Sequence, residues 1–259
     1  MNDKLPAIFV GHGSPMNAIE ENRYARAWRR IGSELPRPRA VLAVSAHWFI
    51  ANSAVTVSAT PRTIHDFGGF PQELYEVQYP APGDPELARR VQELLARFEV
   101  GPDESWGLDH GTWSVLRHMY PDADVPVVQL SINSTQPAQV HFDIGRALLP
   151  LRGERILILG SGNIVHNLRR YDWGRTNAAP QDWAIRFEGQ AKELILADQF
   201  EQLIDYESLG PDAALSIPTA EHYLPLLYVL GSKSAGDATT FPLEGIEGGT
   251  ISMLAVRLG

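Results

Sequence analysis

The stretch Arg155-Ile156-Leu157-Ile158-Leu159, running into Gly160-Ser161-Gly162-Asn163, decides the fold class. An apolar run of strand length, without polar alternation, reads as a strand covered on both faces. Val125-Pro126-Val127-Val128-Gln129-Leu130 repeats the pattern. Working outward, the sequence predicts strands at residues 7–10, 41–46, 54–58, 125–132, 155–159 and 250–257. Between them, helical periodicity predicts helices at residues 21–31, 84–98, 112–120, 137–149, 182–197 and 221–230. Asp84-Pro85-Glu86 gives the second of these an N-cap followed by proline in the first turn. Buried strands alternating with helices predict an α/β fold, with a central, mainly parallel or mixed sheet flanked by helices.

At 259 residues, 44% hydrophobic and 20% charged, the chain is long enough to bury a sizeable core. No internal repeat, low-complexity segment or charge run divides it, so residues 1–259 are expected to form a single catalytic α/β domain. The longer loops at residues 60–83 and 167–181 each carry several aromatics, which sets them apart from linkers and suggests function. No stretch approaches the roughly 18 apolar residues of a membrane span. The opening Met1-Asn2-Asp3-Lys4-Leu5-Pro6 lacks the basic and apolar regions of a secretory signal, so a cytoplasmic location is expected.

The formal net charge is −9, and the basic pairs Arg29-Arg30, Arg89-Arg90 and Arg169-Arg170 are scattered. Nucleic-acid binding needs a concentrated basic face, so that class of partner is excluded. The chain has no cysteine, which removes disulfides, iron–sulfur clusters and thiolate metal sites together. A metal here must be held by imidazole, carboxylate or backbone oxygen, a donor set that suits iron, zinc or manganese.

The histidines carry the functional signal. His12 lies just past the first predicted strand, His47 closes the second, and His166 follows the strand at 155–159. Open α/β sheets bind ligands at the carboxyl ends of their strands, so these three are placed to converge on one crevice. His222 and His110 each stand at the start of a predicted helix. Imidazole ligates iron and zinc, and neutral histidine also serves as a general base near pH 7. A divalent ion held by histidines keeps its positive charge and attracts a chelating anion such as a catecholate. No His-x-x-x-His spacing reinforces the set, so loop histidines held by backbone hydrogen bonds remain the alternative.

His118 and His141 fall inside predicted helices and read as surface or half-buried helical residues. His65, in Thr63-Ile64-His65-Asp66-Phe67-Gly68-Gly69-Phe70-Pro71, is either a substrate contact or part of a loop held by its own turns. Gly11-His12-Gly13-Ser14 and Gly160-Ser161-Gly162-Asn163 complete neither a dinucleotide fingerprint nor a Walker loop. Their glycines are read as giving the backbone room near a bound group. No Gly-x-Ser-x-Gly nucleophile elbow is present, which argues against an α/β-hydrolase.

The segments around these residues together resemble the class III extradiol dioxygenase superfamily, specifically the 4,5-DOPA dioxygenase extradiol group. They are Gly11–Met16, Ser45–Trp48, Thr63–Pro71, Asp109–Trp113, Gly160–Asn167 and Glu221–Leu226, and they run nearly end to end in the family's order. The resemblance implies that His12, His47 and His222 are metal ligands. It also implies that His166 is the catalytic histidine, able to approach the metal when substrate is absent, and that His110 contacts substrate or oxygen. Protocatechuate-type relatives use two histidines and a glutamate, whereas Glu221 here precedes His222. The DOPA-type pattern favours His222 as ligand and leaves Glu221 as its partner.

The implied activity is extradiol cleavage of a small aromatic diol, DOPA-like or another catechol, by O2. One divalent ion is expected: Fe(II) for catalysis, with Zn(II) able to fill the same ligands without redox chemistry. Two other readings stand beside it, a non-catalytic binding protein of the Memo type and a zinc-dependent hydrolase. Oligomeric state is left open.

Overall fold

In the computed structural model, which describes residues 4–259, the apolar runs divide their side chains between two cores. Met1, Asn2 and Asp3, on which the reading of the N-terminus partly rests, lie outside the described residues. Phe9, Leu42, Val44, Ile156 and Ile158 enter one core. Ile8, Val10, Val41, Ala43, Leu157 and Leu159 enter the other. Successive strand side chains point to opposite faces, so a strand covered on both sides needs an apolar residue at every position. That requirement produced the unbroken runs in the sequence.

The strands are β1 (Ala7–Gly11), β2 (Ala40–Ile50), β3 (Ala54–Thr56), β4 (Gly101–Asp103), β5 (Val127–Asn133), β6 (Ile156–Gly162), β7 (Thr239–Leu243), β8 (Ile246–Glu247), β9 (Ile251–Ser252) and β10 (Ala255–Leu258). Eight of them form one sheet in the order β4-β3-β5-β2-β6-β1-β10-β7, and β8 and β9 pair separately. Pairings β5–β2, β2–β6, β6–β1 and β3–β4 are parallel, and β3–β5, β1–β10 and β10–β7 are antiparallel. The sheet is therefore mixed around a parallel centre.

The helices are α1 (Arg23–Glu34), α2 (Gln72–Tyr75), α3 (Pro85–Leu94), α4 (His110–Met119), α5 (Ala138–Leu148), α6 (Pro150–Gly153), α7 (Asp182–Leu196), α8 (Phe200–Ile204), α9 (Pro211–Ser216) and α10 (Leu224–Gly231). Residues of α1 and α4, among them Trp28, Ile31, Trp113 and Leu116, cover one face of the sheet. Residues of α3, α5, α7 and α10, among them Val91, Ile144, Phe187 and Leu226, cover the other. Among the described residues no helix is long and apolar enough to cross a membrane.

Several boundaries differ from the sequence reading, each for a local reason. Strand β2 continues past residue 46 to Ile50, and its register against β5 shifts between Val44 and Phe49. His47 thus sits inside a strand irregularity instead of closing the strand. Strand β6 runs on through its glycines, because Val44 and Ser45 of β2 pair with Gly160 and Ser161. The stretch 250–257 is two short strands, β9 and β10, belonging to different sheets. The edge strands β4 and β7 are absent from the sequence reading. Both are short and contain a proline, Pro102 and Pro242, which is tolerated at an edge and masks the strand pattern.

Helix starts follow their caps. Asn22 accepts from the backbone N–H groups of Tyr24 and Ala25, starting α1 at Arg23 instead of residue 21. Asp84 caps α3 as expected, accepting from Leu87 N–H at 2.9 Å. Asp109 caps α4, so His110 is the first residue of that helix. His118 and His141 are buried, which corrects their reading as surface or half-buried. His118 Nε2 lies 2.8 Å from the Asn17 carbonyl, and His141 Nδ1 lies 2.9 Å from the Tyr228 hydroxyl. Each is held by a partner remote in sequence.

Candidate metal centre

The carboxyl ends of β1, β2 and β6 lie side by side, and the site is built on them. His12 follows β1 directly, and its N–H bonds the Gly162 carbonyl at the end of β6 at 3.1 Å. His47 projects from the irregular part of β2. His222 occupies the turn before α10, and its carbonyl accepts the Asn163 N–H at 2.8 Å. The potential ligand nitrogens of His12, His47 and His222 all lie within 4.8 Å of one another.

Each of these imidazoles has a partner for its other nitrogen. His12 Nδ1 is 3.0 Å from Ser161 Oγ, whose own hydroxyl donates to the Gly111 carbonyl. With its proton so used, Ser161 Oγ accepts, and His12 carries its hydrogen on Nδ1. His47 Nδ1 lies 3.1 Å from Asp66 Oδ2, and His222 Nδ1 lies 3.2 Å from Glu221 Oε1. Carboxylates only accept, so Glu221 sets the Nδ1–H tautomer of His222, and the charge of Asp66 beside Nδ1 favours the same tautomer in His47. Three Nε2 lone pairs are therefore left facing a shared centre. Those of His12 and His47 are 3.1 Å apart. Without metal, a protonated His47 donates across that contact to His12, and a cation bound among the three rings takes the place of that proton. Three neutral imidazoles with anchored Nδ1 atoms fit a divalent first-row metal.

His110 and His166 complete the cluster. Asp66 Oδ1 accepts the His110 backbone N–H at 2.9 Å and lies 3.0 Å from its Nδ1. The same carboxylate thus braces His47 and His110, whose rings are 3.8 Å apart. The His166 ring stacks on that of His222, 3.5 Å between centroids and 7° from parallel. Burial first, and then repulsion among the imidazoles, lowers the pKa of His12 and His222 well below the usual value. Burial pulls His166 down to about 4 against the opposing charge of Glu221. Burial also acts to lower His47, but its contact with Asp66 and the charges of Asp109, Asp66 and Glu221 carry it upward. Asp66 is pushed up by burial, yet His110 and His47 hold it well below the carboxylate range. Near neutral pH, His12, His222 and His166 are unprotonated and Asp66 is charged.

All five of these histidines line one cavity of about 390 Å³. Its outer wall comes from the two long loops: Phe67 and Phe70 from one, Leu168, Tyr171 and Trp173 from the other. Both loops expected to be functional therefore reach the site. His65 does not line the cavity; its Nε2 is 3.0 Å from the Val77 carbonyl, so it braces the loop that delivers Asp66 and Phe67. The substrate-contact reading of His65 is corrected accordingly. Glu221 Oε1 is 3.2 Å from His222 Nδ1 and also groups with His166 and His222 as a set that could hold a metal.

Gly13 lines the cavity, but Gly11 and Gly162 do not clear space for a ligand as expected. A Cβ on Gly11 would lie 2.5 Å from the Ser252 carbonyl oxygen, and one on Gly162 would lie 2.1 Å from that of His222. They let neighbouring backbone close in and bring the histidines together.

The sequence reading missed Asp66, Ser161, Asp109 and Gln129. Asp109 accepts from Ser45 Oγ at 2.7 Å and from Gln129 Nε2 at 2.7 Å, which ties the start of α4 to β2 and β5. The Asp109-His110-Gly111-Thr112 capping pattern was the available signal for it. Ser161 and Gln129 offered none, being polar residues within strands whose partners lie far along the chain.

Residues 6–245 match a family described as the catalytic LigB subunit of aromatic ring-opening dioxygenase. The 4,5-DOPA dioxygenase extradiol of Escherichia coli (strain K12) is 53% identical over 260 residues, covering 99% of this chain and 95% of that protein. The 4,5-DOPA dioxygenase extradiol of Beta vulgaris is 37% identical over 253 residues, 95% of this chain and 93% of that protein. A crystal structure of an uncharacterized protein from Escherichia coli K12 superposes with a TM-score of 0.87 at 47% identity, covering 99% of this chain and 100% of that one.

Proposed function

Since this chain belongs to the family of the catalytic LigB subunit of aromatic ring-opening dioxygenases, we propose that it opens a DOPA-like or related catechol at an Fe(II) ion held by His12, His47 and His222. It is a metal-dependent extradiol ring-cleaving dioxygenase that acts on an aromatic substrate and O2. The ring-cleaving relatives disfavour the Memo-type binding and zinc-hydrolase readings. The observation that carries the proposal is the convergence of three anchored imidazoles beneath an aromatic cavity.

When bound, the ion supplies a redox-active Lewis acid with open positions for oxygen donors. The protein's own residues do the rest. His166, unprotonated and stacked beside His222, serves as the general base that takes a catechol hydroxyl proton. His110, turned by Asp66, presents its Nε2 to the cavity to orient substrate or oxygen. Phe67, Phe70 and Tyr171 pack the substrate ring and exclude water, which strengthens each polar contact inside. His166 stacks on His222 and groups with Glu221 and His222, not with His12 and His47, so it would have to move to become a fourth ligand and give Zn(II) an inert tetrahedral form.

The proposal takes residues 1–259 as one catalytic domain and keeps the cytoplasmic location expected from the sequence, which cell fractionation checks. The deciding experiment loads the protein with Fe(II) under nitrogen and adds a catechol and oxygen. Oxygen uptake matched by a yellow ring-opened product is expected. Uptake absent from the Fe(II) form, with ester or amide cleavage by the Zn(II) form, would reverse the assignment.

A further inference from the structure

The aromatic wall of the cavity stands on a buried carboxylate that is not itself part of the lining. Glu247, on β8, is 4% exposed, and its two oxygens hold different parts of the site. Oε1 accepts the hydroxyl proton of Tyr171 at 3.2 Å, and Tyr171 lines the cavity. Oε2 accepts from Asn17 Nδ2 at 3.4 Å, and the same amide donates to the His12 carbonyl at 3.3 Å. Asn17 is buried too, with its Oδ1 accepting from Asn22 Nδ2 at 2.7 Å. The loop around Tyr171 is docked on the same short segment. The Asp172 N–H donates to the Gly248 carbonyl at 3.0 Å, the Gly248 N–H to the Thr176 carbonyl at 2.8 Å, and the Gln181 N–H to the Gly249 carbonyl at 3.0 Å. Gly248 has a φ of +53°, and a Cβ there would lie 2.0 Å from the Tyr171 ring, so the ring rests on bare backbone.

We infer that Glu247 is a positioning residue, which holds Tyr171 in register with the metal ligands and so fixes the wall against which the catechol packs. The inference rests on the reading of this cavity as a catechol site. Asn17 anchors Glu247 to the backbone of a ligand, His12, and Glu247 passes that reference point to the loop at Tyr171. Backbone bonds dock the loop but leave the Tyr171 side chain free to turn, and the hydroxyl contact removes that freedom. A ring already in place spares the substrate the cost of ordering it on binding. Glu247 acts only through Tyr171 and touches neither substrate nor ion. A carboxamide of the same shape can keep both contacts, because a tyrosine hydroxyl also accepts. The role therefore needs the shape and polarity of the side chain and not its charge.

Calorimetry of DOPA binding to the Zn(II)-loaded protein under nitrogen reads the wall without turnover. Tyr171→Phe and Glu247→Ala should each weaken DOPA binding on the order of three- to tenfold, as for the loss of one hydrogen bond. The double variant should bind no more weakly than Glu247→Ala, and Glu247→Gln should recover most of the affinity. Zn(II) affinity by chelator competition should stay at the wild-type value in Tyr171→Phe and Glu247→Gln. Independent losses in the double variant, or wild-type DOPA binding in Tyr171→Phe, overturn the inference, and so does a fall in Zn(II) affinity in these two variants. Hydrogen exchange at the Asp172 and Gln181 amides is read without any ligand. It should quicken several-fold in Tyr171→Phe, because the loop loses an anchor, and unchanged exchange overturns the inference as well. Oxygen uptake by the Fe(II) form is measured separately. If exchange quickens as expected but the wild type neither binds DOPA nor consumes a catechol, the proposed function fails and the positioning of Tyr171 stands.

Discussion

Gly162→Ala tests whether backbone contact sets the position of a metal ligand. The added Cβ would lie 2.1 Å from the His222 carbonyl oxygen, where ordinary contact begins at 3.4 Å, so a retreat of about 1.3 Å is required. That carbonyl is also fixed by the Asn163 N–H at 2.8 Å, and Pro225 crowds the same methyl at 3.2 Å. The least costly response moves the turn carrying His222. Metal–ligand distances tolerate only about 0.2 Å, so a shift of this size removes one of three ligands from effective range. Overpacking adds a stability cost of about 1–3 kcal/mol, or a Tm lowered by about 2–4 °C for each kcal/mol. Gly189→Ala is the control, because nothing lies within 4 Å of its Cβ and it sits inside α7. That change should stabilise by about 0.5–1 kcal/mol through helix propensity alone. The assay is Zn(II) affinity by chelator competition, alongside thermal unfolding of the metal-free protein. Wild-type affinity and Tm in Gly162→Ala would refute the idea that this approach positions His222.

Three further outcomes are expected. His166→Gln should retain metal while turnover per bound Fe(II) falls on the order of 10²- to 10⁴-fold, as for loss of a general base; loss of metal instead would make His166 primarily a ligand. Arg152 is fully buried and donates to the carbonyls of Leu5, Ser232 and Leu258 and to Asp237, so Arg152→Ala should cost about 3–5 kcal/mol in urea unfolding. Arg152→Lys should recover only part of that, since an ammonium cannot span the same acceptors. His141 is pulled by burial from 6.5 to about 4, so the unfolded chain binds its proton first as the pH drops. Its contribution is complete above pH 6.5 and is lost as the pH falls toward 4, about 3 kcal/mol in all. The acid limb of stability against pH should therefore be shallower in His141→Gln, and an unchanged limb would contradict this account.

The readable parts of the sequence were those governed by nearest neighbours and by burial. Ile156–Leu159 and Val41–Val44 announced a doubly covered sheet because every position faces a core. Asp84 announced a helix start because a cap acts within three residues. His12 could be placed because β1 ends where its apolar run ends. What the sequence concealed depends on distant partners. The position of His47 follows from a register shift of β2 against β5, a strand about eighty residues further on, so its own neighbours give no sign of it. His118 and His141 read as surface or half-buried because their partners, the Asn17 carbonyl and the Tyr228 hydroxyl, come from other elements. Proline hid β4 and β7 because only an edge tolerates it, and edge status is a property of the assembled sheet.

The same distinction explains why five histidines spread from residue 12 to residue 222 make one site without any local spacing. Parallel strands deliver their carboxyl ends to one edge whatever the length of the connections, so the sheet does the gathering that a short motif does elsewhere. Gathering alone leaves the tautomers open, and each is then fixed by a different element: Ser161 on β6 for His12, Asp66 on the aromatic loop for His47, and Glu221 on the adjacent turn for His222. Only the last pair is adjacent in sequence, and it is the one partner the sequence disclosed. Asp66 joins the two functions of the site, since it orients both a ligand and the neighbouring His110 from a loop that also supplies Phe67 to the cavity wall. A change in that loop therefore acts on the ligand set and on the substrate wall together, whereas a change at Ser161 acts on His12 and on the Gly111 carbonyl beside His110.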